Sequence, residues 1–150
     1  MMRWVLALLL VSALAACESP SREPVDQSRT GLVSSIPILS PSTPLENPVL
    51  VVEAQYYALS GTDHGATITI QGTRTAHRVE GVTANPRTPI RKTRGFVSVN
   101  EGIRTASWIE DGIAYTLDVE CSDRTDDRCK DSQFVRGVAE SLVTSRNGGR

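Results

Sequence analysis

The sequence predicts an α+β domain: an antiparallel sheet of about five to six strands with one C-terminal helix packed across it. Three observations carry that prediction. Alternating, β-rich runs begin at Val49; Asp111-Gly112 sits between two such runs; and apolar residues recur at helical spacing after Ser132. The chain has 150 residues, 39% of them hydrophobic, which supports one such domain and no second core.

In order along the chain, Val49 to Leu59 is rich in Val and Tyr and reads as a strand. Ala66 to Gln71 sets Thr67, Thr69 and Gln71 against Ala66, Ile68 and Ile70 and reads as another. Ser60 to Gly65 between them is a run of turn formers. Gly81 to Arg94, with Asn85-Pro86 and Thr88-Pro89, reads as an irregular excursion before Phe96-Val97-Ser98-Val99 resumes the sheet.

The sharpest local signal spans Ile103 to Cys121. With Asp111-Gly112 as a two-residue hairpin loop, Glu110 faces Ile113, Trp108 lies opposite Tyr115 and Ala106 opposite Leu117. Trp108, Tyr115, Leu117 and Val119 then share the core face, and Thr116, Asp118 and Glu120 the wet one. After Asp131-Ser132-Gln133, a fitting N-cap region, Phe134, Val135, Val138, Ala139, Leu142 and Val143 form one stripe of a helix. Asn147-Gly148-Gly149 is its expected stop, and 146–150 is expected to be a disordered tail.

Ahead of the domain, residues 17–48 hold six of the eight prolines, which forbids a ladder or a helix and reads as a tether of about 30 Å. Ile36-Pro37-Ile38-Leu39 is its one apolar piece, with docking on the domain as the alternative to free linker. The domain is accordingly bounded at 49–145.

Before the tether, Arg3 supplies one positive charge and Trp4 to Ala16 are apolar apart from Ser12. That run is shorter than the about 20 residues a membrane span needs. It ends in Leu14-Ala15-Ala16-Cys17, and the segment resembles the bacterial lipoprotein signal peptide with its lipobox. The resemblance implies removal of residues 1–16, acylation of the Cys17 thiol, and anchorage to the cell membrane or outer membrane with the domain extracytoplasmic. Palmitate-length chains at about 0.8 kcal/mol per buried CH2 make such an anchor durable.

Sixteen Lys and Arg against seventeen Asp and Glu give a net charge of −1, so no global field draws the chain onto a polyanion, and nucleic acid is not an expected partner. Removing residues 1–16 takes away Arg3 and no acid, leaving a net charge of −2. With Cys17 acylated, Cys121 and Cys129 remain, and a disulfide is the default for an even pair in an exported chain. Zinc would need two further ligands, and His64 and His77 lie far off in sequence.

Asp123, Asp126, Asp127 and Asp131 could suggest calcium, but the interleaved Arg124, Arg128 and Lys130 favour a solvated charged loop. No metal or other cofactor is expected. Arg87, Arg91, Lys92 and Arg94 form a candidate rim for a ligand or protein partner, with a plain solvated loop as the alternative. Asp63-His64, His77, Ser60 and Ser98 could in principle supply acid-base or nucleophilic chemistry. None sits in a recognisable constellation, so catalysis is not expected.

Trp108 to Leu117 followed by Val138-Ala139-Glu140-Ser141-Leu142 resembles the end of uncharacterised extracytoplasmic domains of bacterial lipoproteins and anti-sigma-factor proteins. That resemblance implies a non-catalytic module of the cell envelope that binds an envelope protein or senses envelope state. The alternative function is binding of an apolar small ligand or lipid on the sheet face.

Overall fold

The computed structural model describes residues 35–75, 85–123 and 125–145. Residues 1–34, which include the expected signal segment and Cys17, as well as His77 and the expected tail at 146–150, lie outside them. The fold is mostly antiparallel sheet. In chain order the elements are β1 (Ile38–Ser40), β2 (Glu46–Glu53), β3 (Tyr56–Asp63), β4 (Ala66–Thr73), β5 (Thr88–Ile90), β6 (Thr93–Asn100), β7 (Ile103–Glu110), β8 (Ile113–Cys121), α1 (Gln133–Ser141) and β9 (Val143–Ser145). Seven strands form one sheet in the order β2-β3-β4-β8-β7-β6-β5, and β1 pairs with β9 in a separate ribbon. This exceeds the five to six strands expected, for two local reasons.

First, Val49 to Leu59 is a hairpin and not one strand. The chain turns at Ala54-Gln55, with Glu53 paired to Tyr56, and neither turn residue is a Gly, Pro, Asn or Asp that would signal a break. Second, part of the excursion at 81–94 is ordered as a hairpin: Thr88–Ile90 pairs with Thr93–Gly95 across a turn at Arg91-Lys92. Three further tight turns have positive φ at both residues, the conformation favoured in two-residue hairpins. His64-Gly65 has 45° and 84°, Glu101-Gly102 51° and 92°, and Asp111-Gly112 52° and 74°. The β7–β8 register is the one expected, with Trp108 on Tyr115, Ala106 on Leu117 and Glu110 on Ile113.

Alternation splits the sheet into two unlike faces. One face carries Tyr57, Leu59, Ile68, Ile70, Ala106, Trp108, Tyr115, Leu117 and Val119, all buried. Trp108 stacks on Tyr115 at 5.5 Å between ring centroids, an arrangement worth about 0.5–1.5 kcal/mol beyond area burial. Gly72 leaves the room this cluster needs, since a Cβ there would meet Tyr57 Cε1 at 2.3 Å and Tyr115 Cε1 at 3.0 Å.

The cover over that face has two parts. Helix α1 inserts Val135 and Ala139, both fully buried, and Leu142 follows at its end. Asp131 Oδ1 accepts the Gln133 N–H at 2.7 Å, so the start of the helix is held by Asp131 and not by the Ser132 side chain. The remainder is the N-terminal piece: Ile36, Ile38 and Leu39 are buried. Residues 35–48 therefore belong to the domain, which corrects its expected start at Val49. The physical reason is polar as well as apolar. Tyr57 Oη accepts the Leu39 N–H at 3.0 Å and the Tyr115 hydroxyl donates to the Pro37 carbonyl at 3.2 Å, so a proline-containing segment is held by side chains from the sheet below.

Because Trp108 is buried at the centre of this face while Ile109, its neighbour in sequence, points out, the two should respond differently to truncation. Trp108→Ala is expected to cost about 3–5 kcal/mol in chemical denaturation, and Ile109→Ala no more than about 0.5 kcal/mol. Equal costs would contradict the assignment of faces.

Candidate functional site

Several side chains reach from the sheet to lock its cover in place, and Arg91 is the foremost. It sits in the β5–β6 turn with φ of 53°. Its Nε donates to Glu110 Oε2 at 2.6 Å, and its NH1 donates to the carbonyls of Ala139 at 3.2 Å and Leu142 at 2.7 Å. Its backbone N–H also donates to Glu140 Oε1. A guanidinium at the C-terminal end of α1 thus donates to the carbonyls there, Ala139 also accepting the Leu142 N–H, and complements the helix dipole. Both partners of the Arg91–Glu110 pair are nearly buried, at 13% and 12% side-chain exposure. Burial of the Glu110 carboxyl opposes ionisation, but the Arg91 hydrogen bond and charge outweigh it, aided by Trp108 Nε1 at 3.3 Å, so it ionises below its ordinary 4.5.

Arg104 does the same for the loop before the helix, donating from Nε to the Cys129 carbonyl at 2.7 Å and from NH2 to the Lys130 carbonyl. Arg128 grips Asp126 through Nε and NH2, and its NH1 and NH2 donate to the carbonyls of Asp63 at 2.8 Å and His64 at 2.6 Å. Its guanidinium also lies 5.7 Å over the Phe134 ring. The Arg128 side chain and backbone N–H together hold the Asp126 carboxyl down at about 2. Within the same loop, the Cys121–Cys129 disulfide is present and joins β8 to the short 3-10 turn Asp127–Cys129.

The acids of that loop are committed locally. Asp123 Oδ1 accepts from Thr125, Asp126 binds Arg128, Asp127 binds Lys130 and Asp131 caps Gln133. Among the described residues no group of three metal-ligating side chains occurs. Of the residues weighed for catalysis, His64 is exposed on the β3–β4 turn, 3.9 Å from Asp63 Oδ1. Ser60 shares a hydrogen bond of 2.9 Å with Thr69, and Ser98 is exposed on β6. Among the described residues no hydrogen bond joins either serine to His64.

The second face of the sheet is open. Its rows run across six strands: Val49, Ser60, Thr69, Asp118, Thr105 and Ser98 at one level, and Val51, Ala58, Gln71, Thr116, Ser107 and Phe96 at the next. The middle of this face is hydroxyl-rich and partly self-satisfied, as where Thr105 donates to Asp118 Oδ1 at 2.6 Å. Apolar side chains stand exposed at its two flanks. Val49 and Val51 are 58% and 49% exposed on β2, and Phe96 and Ile109 are 45% and 59% exposed on β6 and β7.

The four basic residues singled out in the sequence separate at this point. Arg87, Lys92 and Arg94 are exposed, and Arg94 alternates with Phe96 onto the open face. Arg91 turns inward and is consumed by the helix end. An arginine count along the chain cannot distinguish these fates, because only the β5–β6 hairpin decides which way each side chain points. Phe96 and Ile109 escaped notice in the sequence, although their parity relative to Trp108 was the available signal.

The apolar face on which a small ligand or lipid would sit is the one α1 and β1 cover. Among the described residues, two surface concavities are open to solvent. One runs along α1 beside Phe134, Gly137 and Val138, and the other lies among Pro41, Pro44, Leu45, Pro48 and Leu59. Among the described residues no helix is long and apolar enough to cross a membrane. No family model, curated protein or solved structure matches the chain.

The Arg91–Glu110 tie predicts a specific dependence on pH. Glu110 ionises more readily folded than unfolded, so its contribution is complete above about pH 4.5 and drains away as pH falls through the folded value. Denaturation midpoints measured across pH 2–6 should lose that part of their slope in Glu110→Gln. Arg91→Ala is expected to cost about 3–5 kcal/mol by leaving the Glu110 charge buried and unpaired. Arg91→Lys should recover only part of it, because an ammonium cannot reach the carboxylate and two carbonyls at once.

Proposed function

We propose that this chain is a bacterial lipoprotein, acylated on Cys17, whose non-catalytic extracytoplasmic domain binds an envelope protein with the β5–β6–β7 end of its open sheet face. The observation that carries the reading is the pairing of exposed apolar and basic groups there: Phe96 and Ile109 stand out of the sheet, with Arg94 alternating beside Phe96 and Arg87 and Lys92 at the same edge. Scattered exposed apolar residues are ordinary, but two large ones on adjacent strands, beside three exposed cations, suit a partner with an apolar centre and an acidic rim.

Support for the address comes from different residues. Leu14-Ala15-Ala16-Cys17 fits the lipobox at every position. The Cys121–Cys129 bridge suits an oxidising compartment outside the cytoplasm. With a closed loop of roughly nine residues, that bridge contributes about 2.5 kcal/mol on the chain-entropy account, a useful addition for a domain whose helix has nine residues.

Two measurements test the two halves. Metabolic labelling with an alkyne fatty acid should mark the protein, and Cys17→Ala should abolish the label and release the chain from the membrane fraction; a parent chain that stays unlabelled refutes the anchor. A photo-crosslinking side chain placed at Ile109 should yield an adduct in intact cells that Arg94→Glu weakens at least tenfold. One placed at Thr67, on the polar part of the same face, should yield none. Adducts of equal strength at both positions would remove the assigned contact.

A further inference from the structure

The two edges of the seven-stranded sheet are built differently. The β5 edge is three residues long, contains Pro89 and ends at the Arg91 turn under α1, so it offers little backbone to another strand. The β2 edge is eight residues long and carries Val49-Leu50-Val51-Val52 without a charge among them. Val49, Leu50 and Val51 are 58%, 47% and 49% exposed, so this stretch is open on both faces before Val52 packs against the core, and among the described residues no strand pairs with its outer edge. Long apolar edges pair with other strands unless something blocks them; Pro48, which has a carbonyl but no N–H to offer, bounds the free stretch on one side, and nothing in 49–52 blocks it.

We propose that β2 is the contact through which two copies of this chain join, antiparallel, into one continuous sheet. The strand is complementary to itself read backwards. About a two-fold axis through Leu50, Leu50 meets Leu50 of the second copy on the helix-side face, and Val49 meets Val51 on the open face. Val52 falls opposite Pro48, so every facing pair over this stretch is apolar. The charges agree: Glu53 falls opposite Asn47 of the second copy, whereas a parallel, in-register pairing would set Glu46 on Glu46 and Glu53 on Glu53. The irregularity between Glu46 and Val49, where Asn47 has φ of 48°, limits the pairing to the strand's apolar half. A two-fold contact of this kind consumes the long edge of each copy, and the short β5 edges end the growth at two chains. The proposal is independent of Cys17 acylation and of the surface around Phe96, which lies at the opposite side of the sheet.

Sedimentation of the full chain should show a monomer–dimer equilibrium. Val51→Lys should weaken it at least tenfold while far-ultraviolet circular dichroism, and thermal unfolding at concentrations where both chains are single, stay unchanged, since the side chain is exposed in the single chain. Under oxidation, Leu50→Cys should give an interchain disulfide that the parent chain lacks. A mixture of Val49→Cys and Val51→Cys chains should link more than either alone, a signature of this register and no other. A chain that remains monomeric up to its solubility limit, a dimer indifferent to Val51→Lys, growth beyond two copies, or a foreign polypeptide held at β2 with the chain still single would each overturn the proposal.

Discussion

A seven-stranded sheet is about 29 Å across at about 4.8 Å per strand interval, and a nine-residue helix is about 13 Å long and about 10 Å wide. One helix cannot cover such a face. That mismatch governs the rest of the molecule. The segment Ile36–Ser40 is drawn into the cover because buried Tyr57, Ile70 and Leu117 need something above them, and β9 pairs with β1 because the chain leaving α1 passes beside that segment. Even so the cover meets β2 only around Val52, and Leu50, on the same side of the sheet, remains half exposed.

A cover assembled from a short helix and a three-residue strand has little apolar area with which to fix its position. The sheet compensates with directed polar ties: arginine to carbonyl at the two ends of the helical segment, tyrosine hydroxyl to backbone under β1. Arg104, Tyr57 and Tyr115 reach up from the buried face of a strand and Arg91 from the tight β5–β6 turn, so each donor starts from ordered backbone. The tyrosines bear the mark of this position. Burial pushes the Tyr115 hydroxyl up to about 12, so it stays a neutral donor to Pro37 across any physiological pH. Among the described residues no buried side-chain polar atom lacks a partner.

This division of labour explains what was legible in the sequence. Where local rules act alone, they came close. Asp111-Gly112 sets the β7–β8 register, an even cysteine pair closes its loop, and Val135 and Ala139 mark the buried stripe of α1, although the helix ends at Ser141, before the expected stop at Asn147, because Val143 is taken into β9 by its pairing with β1. Where the outcome depends on distant partners, local rules misled. Prolines at 37 and 41 argue against a ladder, yet β1 runs between them because Tyr57 and Tyr115, eighteen and more residues away, supply the hydrogen bonds. The Ala54-Gln55 turn is set by the pairing of β2 with β3 and by Ser35, whose N–H and hydroxyl both donate to the Ala54 carbonyl. Neither turn residue announces it.

The same dependence on pairing bears on the candidate surfaces. On a helix or a loop, an exposed Phe or Val can swing and its direction carries little meaning. On a strand held from both sides, direction is fixed by parity, so Phe96 and Ile109 point outward for the same reason that Gly95 and Trp108 point inward. Gly95 has no alternative: a Cβ there would lie 2.1 Å from the Ser107 carbonyl oxygen. The close approach that seats Trp108 against β6 therefore also holds Phe96 in the open, and what stabilises the core presents the surface. An apolar contact organised in this way is rigid before a partner arrives, which lowers the entropy lost on docking. On β2 the pairing acts from one side only. Its outer residues are aimed by β3, while its other backbone edge pairs with no strand among the described residues.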